Sequence, residues 1–188
     1  MIKPNDAREI ARRLLEHEFP RRWAHTQGVA ERARSLADVL GEDSDLIETA
    51  AWLHDIGYAQ SLSLSGFHSL DGARYLRCLP DVPEAVCQLV AHHTGAAIEA
   101  EERGMPAVCD EFEAPPAGLL DALTYCDLRT AVDGVPTTVD ERIAEILARY
   151  PADHVVHRSV RRSAPQLRHS TRSMQVRVAR GRSVEVGR

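Results

Sequence analysis

The sequence predicts an all-α fold. In most segments, apolar residues recur every three or four positions, as they do on one face of a helix. Residues that favour helix ends separate these segments, and alternation typical of strands is absent apart from a weak pattern at 174–178. With 188 residues, of which 44% are hydrophobic, the chain can bury a sizeable core. We therefore expect one compact multi-helix bundle over residues 1–180.

The predicted helices of the N-terminal half are each bounded by capping or helix-breaking residues. Asn5 or Asp6 can cap the first helix, Gly41 ends the second, and Pro83 lies near the start of the fifth. A loop rich in Ser and Gly, residues 59–67, separates the third helix from the fourth. The predicted ranges are 5–17, 21–40, 44–54, 69–79 and 81–92.

The C-terminal half reads as shorter helices followed by a long one. Gly104 closes a short helical stretch at 99–103, and residues 105–116, rich in Pro and Glu, are predicted as a loop. Further helices are predicted at 119–128, 140–150 and 154–180, the last either continuous or interrupted at Pro165. We predict a flexible tail at 181–188.

Charge is distributed unevenly along the chain. The formal net charge is −5, but residues 155–188 carry +8 because they contain nine Arg and one Glu. Such a basic extension could contact nucleic acid or an anionic substrate, or it could pack on the acidic remainder. We expect packing or solvation, because an acidic body is a poor generic binder of nucleic acid.

The sequence carries few signals that would direct the protein to a particular cellular compartment. No apolar run approaches the roughly 20 residues of a membrane span, and the N-terminus lacks the apolar core of a signal peptide. The cysteines lack a C-x-x-C spacing and read as reduced thiols: Cys78, Cys87, Cys109 and Cys126. We expect a cytoplasmic protein with no membrane partner.

A His-Asp pair ends the predicted third helix. Adjacent residues on a regular helix point about 100° apart, so His54 and Asp55 could not easily share a ligand there. Gly57 can break the helix and so allow Asp55 to turn back toward the same point. Alone, the pair could equally be a surface helix end with a histidine near its dipole.

Other ionisable residues lie at the inner faces or inner ends of other helices. They are His25, His92 and Asp127, each of which follows or shares a face with apolar residues. Each alone could be a hydrogen-bonded core residue. Burying several ionisable groups costs several kcal/mol each unless they are paired, so together they favour a shared cation. Imidazole and carboxylate ligands suit Fe, Mn, Zn, Ni or Co.

This pattern resembles that of the HD superfamily of metal-dependent phosphohydrolases. The family's motif is a histidine, then an adjacent His-Asp, then a distant Asp, and it is met here by His25, His54-Asp55 and Asp127. The resemblance covers residues 7–150 and implies an HD-domain bundle, with the Arg-rich helical extension at 154–180 outside the motif core. It implies that His25, His54, Asp55 and Asp127 hold one divalent ion.

The same resemblance implies a second ion. HD proteins with two metals place histidines where this chain has His68 and His92, and Asp55 would bridge the two ions. His93 would then orient a ligand or contact the substrate. The alternative for His68 is a solvated loop histidine. The cofactor is expected to be two divalent transition-metal ions, Fe, Mn, Co, Ni or Zn, with Mg as a further option.

The resemblance implies hydrolysis of a nucleotide or other small phosphate ester through a metal-activated hydroxide. Asp55, His54, His93 and Arg129 are the expected catalytic residues. Because Lys3 is the only lysine, arginine must supply side-chain phosphate contacts; the candidates are Arg129, Arg103 and Arg74, each of which could also be a surface arginine.

Two subfamily signatures are absent. No Gly-Tyr-Pro follows the double histidine, which argues against a cyclic-di-GMP phosphodiesterase, and no Glu-Asp follows His54-Asp55, which argues against an alarmone hydrolase. Three alternatives remain open: a di-iron HD-type oxygenase, a non-catalytic nucleotide sensor, and a nucleic-acid module using the basic extension. A homodimer is also left open.

Overall fold

A computed structural model describes residues 2–105 and 108–185 and confirms the all-α prediction. The one departure from helix and loop within these ranges is an isolated bridge between Thr130 and Pro136. Short 3₁₀ turns follow α3, α4 and α6, at Gly41–Asp43, Ile56–Tyr58 and His93–Gly95. The α-helices are α1 (Pro4–Leu15), α2 (Pro20–Arg34), α3 (Ala37–Leu40), α4 (Ser44–Leu53), α5 (His68–Arg77), α6 (Glu84–His92), α7 (Ala96–Glu102), α8 (Val108–Glu111), α9 (Ala117–Leu128), α10 (Val139–Arg149) and α11 (Val155–Glu185).

Helix α4 is the centre of the bundle. Every residue from Ile47 to Leu53 is buried, because the helix contacts α1, α2, α6 and α9 on different sides. A helix that is buried all round cannot be amphipathic, and α4 is accordingly rich in Ala, Ile, Leu and Trp. Its C-terminal end, which carries His54, therefore opens into the interior of the protein.

Two glycines allow the close approaches that shape the site. A Cβ added at Gly57 would lie 2.0 Å from the carbonyl oxygen of His68, so the turn after α4 touches the first residue of α5. A Cβ at Gly28 would lie 2.2 Å from the carbonyl oxygen of Gly134, so α2 touches the loop after α9. Only glycine permits either contact. These contacts bring α2, α4, α5 and α9 together around one interior point.

The predicted second helix, 21–40, is wrong as a single element. Helix α2 ends at Arg34, and Leu36, with φ −99° and ψ 6°, separates it from the short α3. The turn has a packing reason, since Leu36 and Leu40 are both buried, with 5% and 6% exposure. Gly41 ends α3 in a positive-φ conformation, as its position in the sequence predicts.

The predicted loop at 105–116 is also partly wrong, because it contains α8; residues 106 and 107 lie outside the described ranges. Phe112 follows α8 and is fully buried. The guanidinium of Arg77 lies 3.7 Å from the centre of its ring, and Glu111 forms an ion pair with Arg74 at 2.6 Å. These contacts to α5 hold a segment whose composition is typical of a loop.

Helix α11 is continuous through Pro165 and packs on α7, α9 and α10. The expected packing of the Arg-rich extension on the acidic body is found: Arg158 and Arg162 form ion pairs with Glu102, and Arg168 pairs with Asp140. The helix is described as far as Glu185, five residues beyond the predicted 180. A Cβ on Gly181 would lie 3.2 Å from Val39, so packing on α3 continues there. Of the predicted flexible tail, 181–185 are helical, and 186–188 lie outside the described residues.

Among the helices that the structure describes, none is both long and apolar enough to cross a bilayer.

Candidate metal centre

Six side chains meet at the inner end of α4 in two groups of three. The first group contains His25 from α2, His54 from the end of α4 and Asp127 from α9; the second contains Asp55, His68 and His93. Within each group, the candidate ligand atoms all lie within 4.8 Å of one another. Five of the six ligands predicted from sequence are therefore brought together: His25, His54, Asp55, His68 and Asp127.

Asp55 lies between the two groups. The helix gives way to a 3₁₀ turn directly after it, so its carboxylate points to the same interior as His54. Its Oδ2 lies 3.3 Å from His54 Nε2, whereas its Oδ1 lies 3.6 Å from His68 Nε2 and 3.9 Å from His93 Nε2. Each oxygen of this one carboxylate thus faces a different group.

Three histidine rings are oriented by backbone carbonyls. The Nδ1 atoms of His25, His54 and His93 donate to main-chain oxygens at 3.0, 2.8 and 2.6 Å, namely those of Ala131, Ala51 and Val90. A proton held at Nδ1 leaves the lone pair of Nε2 directed at the cluster, as in metal-binding histidines. His54 Nε2 is fully buried, and although Asp55 Oδ2 lies 3.3 Å away, the atom forms no hydrogen bond among the described residues. A buried lone pair of this kind is costly unless a cation fills it, so the residues fit a metal.

His92, which the sequence analysis predicts as a ligand, belongs to neither group. Its Nε2 donates to the main-chain oxygen of Phe112 at 2.8 Å, which holds the ring away from the cluster. His93 takes its place, because α6 ends at His92 and the backbone then turns through an extended His93 and a left-handed Thr94, with φ 48°. This correction follows from a turn that helical spacing does not encode.

Thr94 orients the carboxylate of Asp127 in the first group. Its hydroxyl donates to Asp127 Oδ2, while Oδ1 of the same carboxylate lies 2.9 Å from His25 Nε2. A β-branched residue with positive φ is strained, and such strain persists where the surrounding structure demands it. The strain here fixes the direction of a carboxylate that faces the site.

An arginine that the sequence analysis does not single out contacts the bridging carboxylate. Arg22 Nη1 lies 2.7 Å from Asp55 Oδ2, and the guanidinium lies 3.8 Å from the centre of the Tyr58 ring. Tyr58 in turn stacks on His68, with ring centres 4.1 Å apart. Arg22 is three residues before His25 on α2, so the same helix face carries both. That spacing is the signal that could have identified it.

The electrostatics favour ionised carboxylates in both groups and neutral imidazoles at His68 and His93. Burial acts to raise the pKa of Asp55, but the charges of Arg22 and His54 outweigh it and hold that pKa well below its usual range. Burial also acts to raise the pKa of Asp127, but the hydrogen bond with His25 outweighs burial and lowers that pKa. Burial lowers the pKa values of His68 and His93, so both rings are neutral near pH 7. In the second group these are the protonation states that metal ligands need, whereas in the first group the charge of Asp55 outweighs burial and raises the pKa of His54, so a bound cation would compete with a proton there.

The arginines predicted to contact phosphate lie elsewhere. Arg129 is not among the described residues that line the cavity, since two residues along a helix point about 200° apart and Asp127 faces inward. Arg103 pairs with Glu99 at 2.6 Å, and Arg74 pairs with Glu111 on the surface. The cavity encloses about 590 Å³, counting its open mouth, and its arginines are Arg22, Arg142 and Arg149.

Known proteins share this region of the chain. A family model described as HD domain matches residues 22–152. Relatives include ribonuclease Y of Sulfurovum sp. (strain NBC37-1), 33% identical over 50% of this chain and 19% of the relative. A deoxyguanosinetriphosphate triphosphohydrolase-like protein of Caulobacter vibrioides is 50% identical over 24% of this chain and 12% of the relative. The chain thus spans about a fifth or less of these relatives' lengths. No significant match to a solved structure was found.

The matched range contains all six side chains of the two groups and covers more than half of the sequence. The resemblance drawn from the motifs is therefore confirmed, and the chain belongs to the HD domain family.

Proposed function

We propose that this protein is a metal-dependent phosphohydrolase that acts on a nucleotide or another small phosphate ester. The observation that carries the proposal is the pair of three-residue groups joined by Asp55, with the unpartnered Nε2 of His54 buried inside the first. Nothing in this arrangement serves stability alone, because ionisable groups are expensive to bury.

The residues that would hold two divalent ions are those of the two groups. His25, His54 and Asp127 would bind one ion. His68 and His93 would bind the other, and Asp55 would bind both ions. Four imidazoles and two carboxylates suit Fe, Mn, Co, Ni or Zn better than Mg, which prefers oxygen ligands. When bound, two such ions lower the pKa of a water and stabilise charge on a transferring phosphoryl group.

The chain's own residues orient and screen this site. Carbonyl contacts at Nδ1 fix the rings of His25, His54 and His93, and Thr94 fixes Asp127. Arg22 lines the cavity beside Asp55 and offers a positive charge to a phosphate oxygen. Of the catalytic residues expected from the sequence, we retain Asp55, His54 and His93 in the proposal. Arg22 replaces Arg129.

Two observations support a small substrate over nucleic acid. Three arginines of α11 that could contact a polyanion are engaged with acidic side chains: Arg158 and Arg162 pair with Glu102, and Arg168 pairs with Asp140. The second is charge: outside residues 155–188 the chain carries a formal net charge of −13, the total of −5 less the +8 of that segment, and an acidic body disfavours a polyanion. The names of the relatives refer to a ribonuclease and to a triphosphohydrolase, and extending a nucleotide substrate to this chain is part of the proposal.

Metal-dependent phosphate release tests the proposal. Protein stripped with a chelator is reloaded separately with Mn, Fe, Co, Ni, Zn or Mg and assayed on nucleotides and simple phosphate esters. We expect turnover with at least one transition metal, and about two ions bound per chain. His54→Ala and Asp55→Ala should lose about 100-fold or more in activity, because even the outer contacts of metal ligands are worth about 10- to 100-fold.

His92→Gln is the matched control, since it removes a neighbouring buried imidazole that donates to Phe112 but faces neither group. It should bind metal as the wild type does. Equal activity of His54→Ala and the wild type would overturn the proposal, as would an absence of phosphate release with every metal. Oxygen consumption by an iron-loaded protein with a redox-sensitive visible spectrum would instead assign a di-iron oxygenase, and tight nucleotide binding without turnover would assign a sensor.

A further inference from the structure

The outer wall of the metal cavity is built by the C-terminal part of the chain. Helix α10, the residue after it and the first turns of α11 contribute side chains to this wall, yet none of them belongs to either ligand group. The wall combines two arginines with apolar side chains: Arg142, Arg149, Ile146, Val156 and Val160. Such a wall faces substrate and not metal.

Arg142 is buried and incompletely paired. The residue is 6% exposed and lines the cavity with Asp127, while its Nη1 contacts Glu145 Oε2 at 2.6 Å. Its Nε is buried without a hydrogen-bond partner among the described residues. Leaving a buried guanidinium N–H unpaired costs free energy that an incoming acceptor would recover. The positive charge of Arg142 is also close enough to Asp127, a member of the first group, to help lower the pKa of that carboxyl group.

Arg149 converges on the same carboxylate from the cavity mouth. Residues 142, 145 and 149 are three and four apart, so they share one face of α10. Glu145 receives Arg142 on Oε2 and Arg149 on Oε1, the latter through Nε at 3.0 Å. Two guanidinium groups thus already bind one anionic group here. Against Glu145 alone the pair keeps one excess positive charge, and the other carboxylates nearby are engaged elsewhere, Glu99 with Arg103 and Asp127 with His25.

We propose that Arg142 and Arg149 form a second anion subsite, in which a phosphate or other anionic group of the substrate replaces the Glu145 carboxylate. This rests on the proposed function, which assigns the first phosphate to the two ligand groups. The organic part of the substrate contacts Ile146, Val156 and Val160. The substrate class is then a phosphate ester with a second anionic group, which includes nucleoside di- and triphosphates.

Binding of two non-hydrolysable probes tests the subsite without turnover. Methylenediphosphonate carries two anionic groups and methylphosphonate carries one, and both are titrated by calorimetry into the same manganese-loaded protein. We expect the wild type to bind the diphosphonate at least 10-fold more tightly. Arg149→Met, a change at a side chain that is 32% exposed, should reduce this ratio to about threefold or less.

Two further variants separate the subsite from general charge effects. Arg168→Met removes an arginine that pairs with Asp140 on the surface between α10 and α11, and it should keep the wild-type ratio. Glu145→Gln removes the competing negative charge, so it should tighten diphosphonate binding several-fold. Chelation of free manganese by the probe is equal for all variants and cancels in the comparison.

The outcomes distinguish this proposal from the one on which it rests. An unchanged ratio in Arg149→Met, or a wild type that binds both probes equally, would overturn the subsite. A wild type that releases phosphate from p-nitrophenyl phosphate while failing the probe test would keep the function and lose the subsite. The reverse result, a selective response in Arg149→Met without turnover by any metal form, would keep the subsite and lose the hydrolase.

Discussion

At the scale of single residues, the strained backbone of Thr94 places its hydroxyl group where it orients Asp127, one of the proposed metal ligands. Replacing Thr94 with valine keeps the β-branched shape but removes the hydroxyl that donates to Asp127 Oδ2. Because outer contacts of this kind orient metal ligands, we expect Thr94→Val to weaken metal binding by about 10-fold or more. Calorimetric titration of the chelator-treated protein with cobalt measures the effect.

Thr94→Ser provides the matched control, since it restores the donor at the same position. It should bind cobalt within about threefold of the wild type. If valine and serine bound the metal equally, the hydroxyl would have no orienting role, and the φ of 48° would need another cause.

Some residues of the site can be predicted from the sequence and others cannot. His25, His54 and Asp127 are predictable because regular helices carry them, and helical spacing tells which face is buried. His92 and His93 are three and four residues after Leu89, and both spacings fit one helix face. The choice between them depends on the backbone after α6, where Thr94 adopts a conformation that no periodicity specifies.

At the scale of elements, the contact between the turn after α4 and the start of α5 depends on Gly57. In Gly57→Ala, the new Cβ would lie 2.0 Å from a main-chain oxygen, which neither element can move without displacing Asp55 or His68. Overpacking of this kind costs about 1–3 kcal/mol. We expect urea denaturation to show a loss of that size, together with weaker metal binding.

Gly118→Ala is the comparison variant. Gly118 lies in the first turn of α9, where an added Cβ would meet only the end of the Arg177 side chain, at 3.6 Å. Alanine is favoured over glycine in a helix by about 1 kcal/mol. This variant should therefore be as stable as the wild type or slightly more stable, and a similar loss in both variants would argue against the steric explanation.

The attachment of α11 to α7 should depend on pH through Glu102. Hydrogen bonds from Arg162 and Arg158 lower the pKa of this carboxyl group below its ordinary 4.5. A group whose pKa is lower in the folded state stabilises the fold above its unfolded pKa, and that contribution is lost as the pH falls through the folded pKa. The wild type should thus exceed Glu102→Gln in unfolding free energy at pH 7, and the difference should shrink below about pH 4.5.

Denaturation of the two proteins between pH 7 and about pH 3 measures this dependence. Arg172→Gln, which alters an exposed arginine of the same helix, serves as the control and should show no such pH dependence. A difference between wild type and Glu102→Gln that grew on acidification would mean that the carboxylate does not stabilise the folded state.

The sequence predicts which helices exist better than it predicts where they begin and end. The buried residues of α1 and α2 repeat at helical spacing, and α4, α6 and α9 carry longer apolar runs, so the sequence predicts all of these helices. The break between α2 and α3 is set by the burial of both Leu36 and Leu40, and α8 is held by contacts of Glu111 and Phe112 with α5. Such tertiary contacts override local composition, which is why these two segments could not be predicted from it.

At the scale of the whole molecule, the two ligand groups should link metal content to global stability. Even without ions, the carboxylates of the cluster have hydrogen-bonding partners: Arg22 Nη1 lies 2.7 Å from Asp55 Oδ2, and His25 Nε2 lies 2.9 Å from Asp127 Oδ1. The described core, with residues such as Ile47, Leu89 and Leu123 fully buried, does not depend on the cluster. We therefore expect the chelator-treated protein to remain folded, with unchanged helical circular dichroism.

Metal should nevertheless raise the melting temperature, since it binds a preformed site in the folded state only. An ion at 100 times its dissociation constant adds about 2.7 kcal/mol, which corresponds to roughly 5–10 °C for a domain of this size. Thermal melts with increasing manganese measure the shift, which His54→Ala should lose and His92→Gln should keep. An equal rise in His54→Ala would place the stabilising ion elsewhere, because the only buried ring nitrogen without a partner in the described residues belongs to His54.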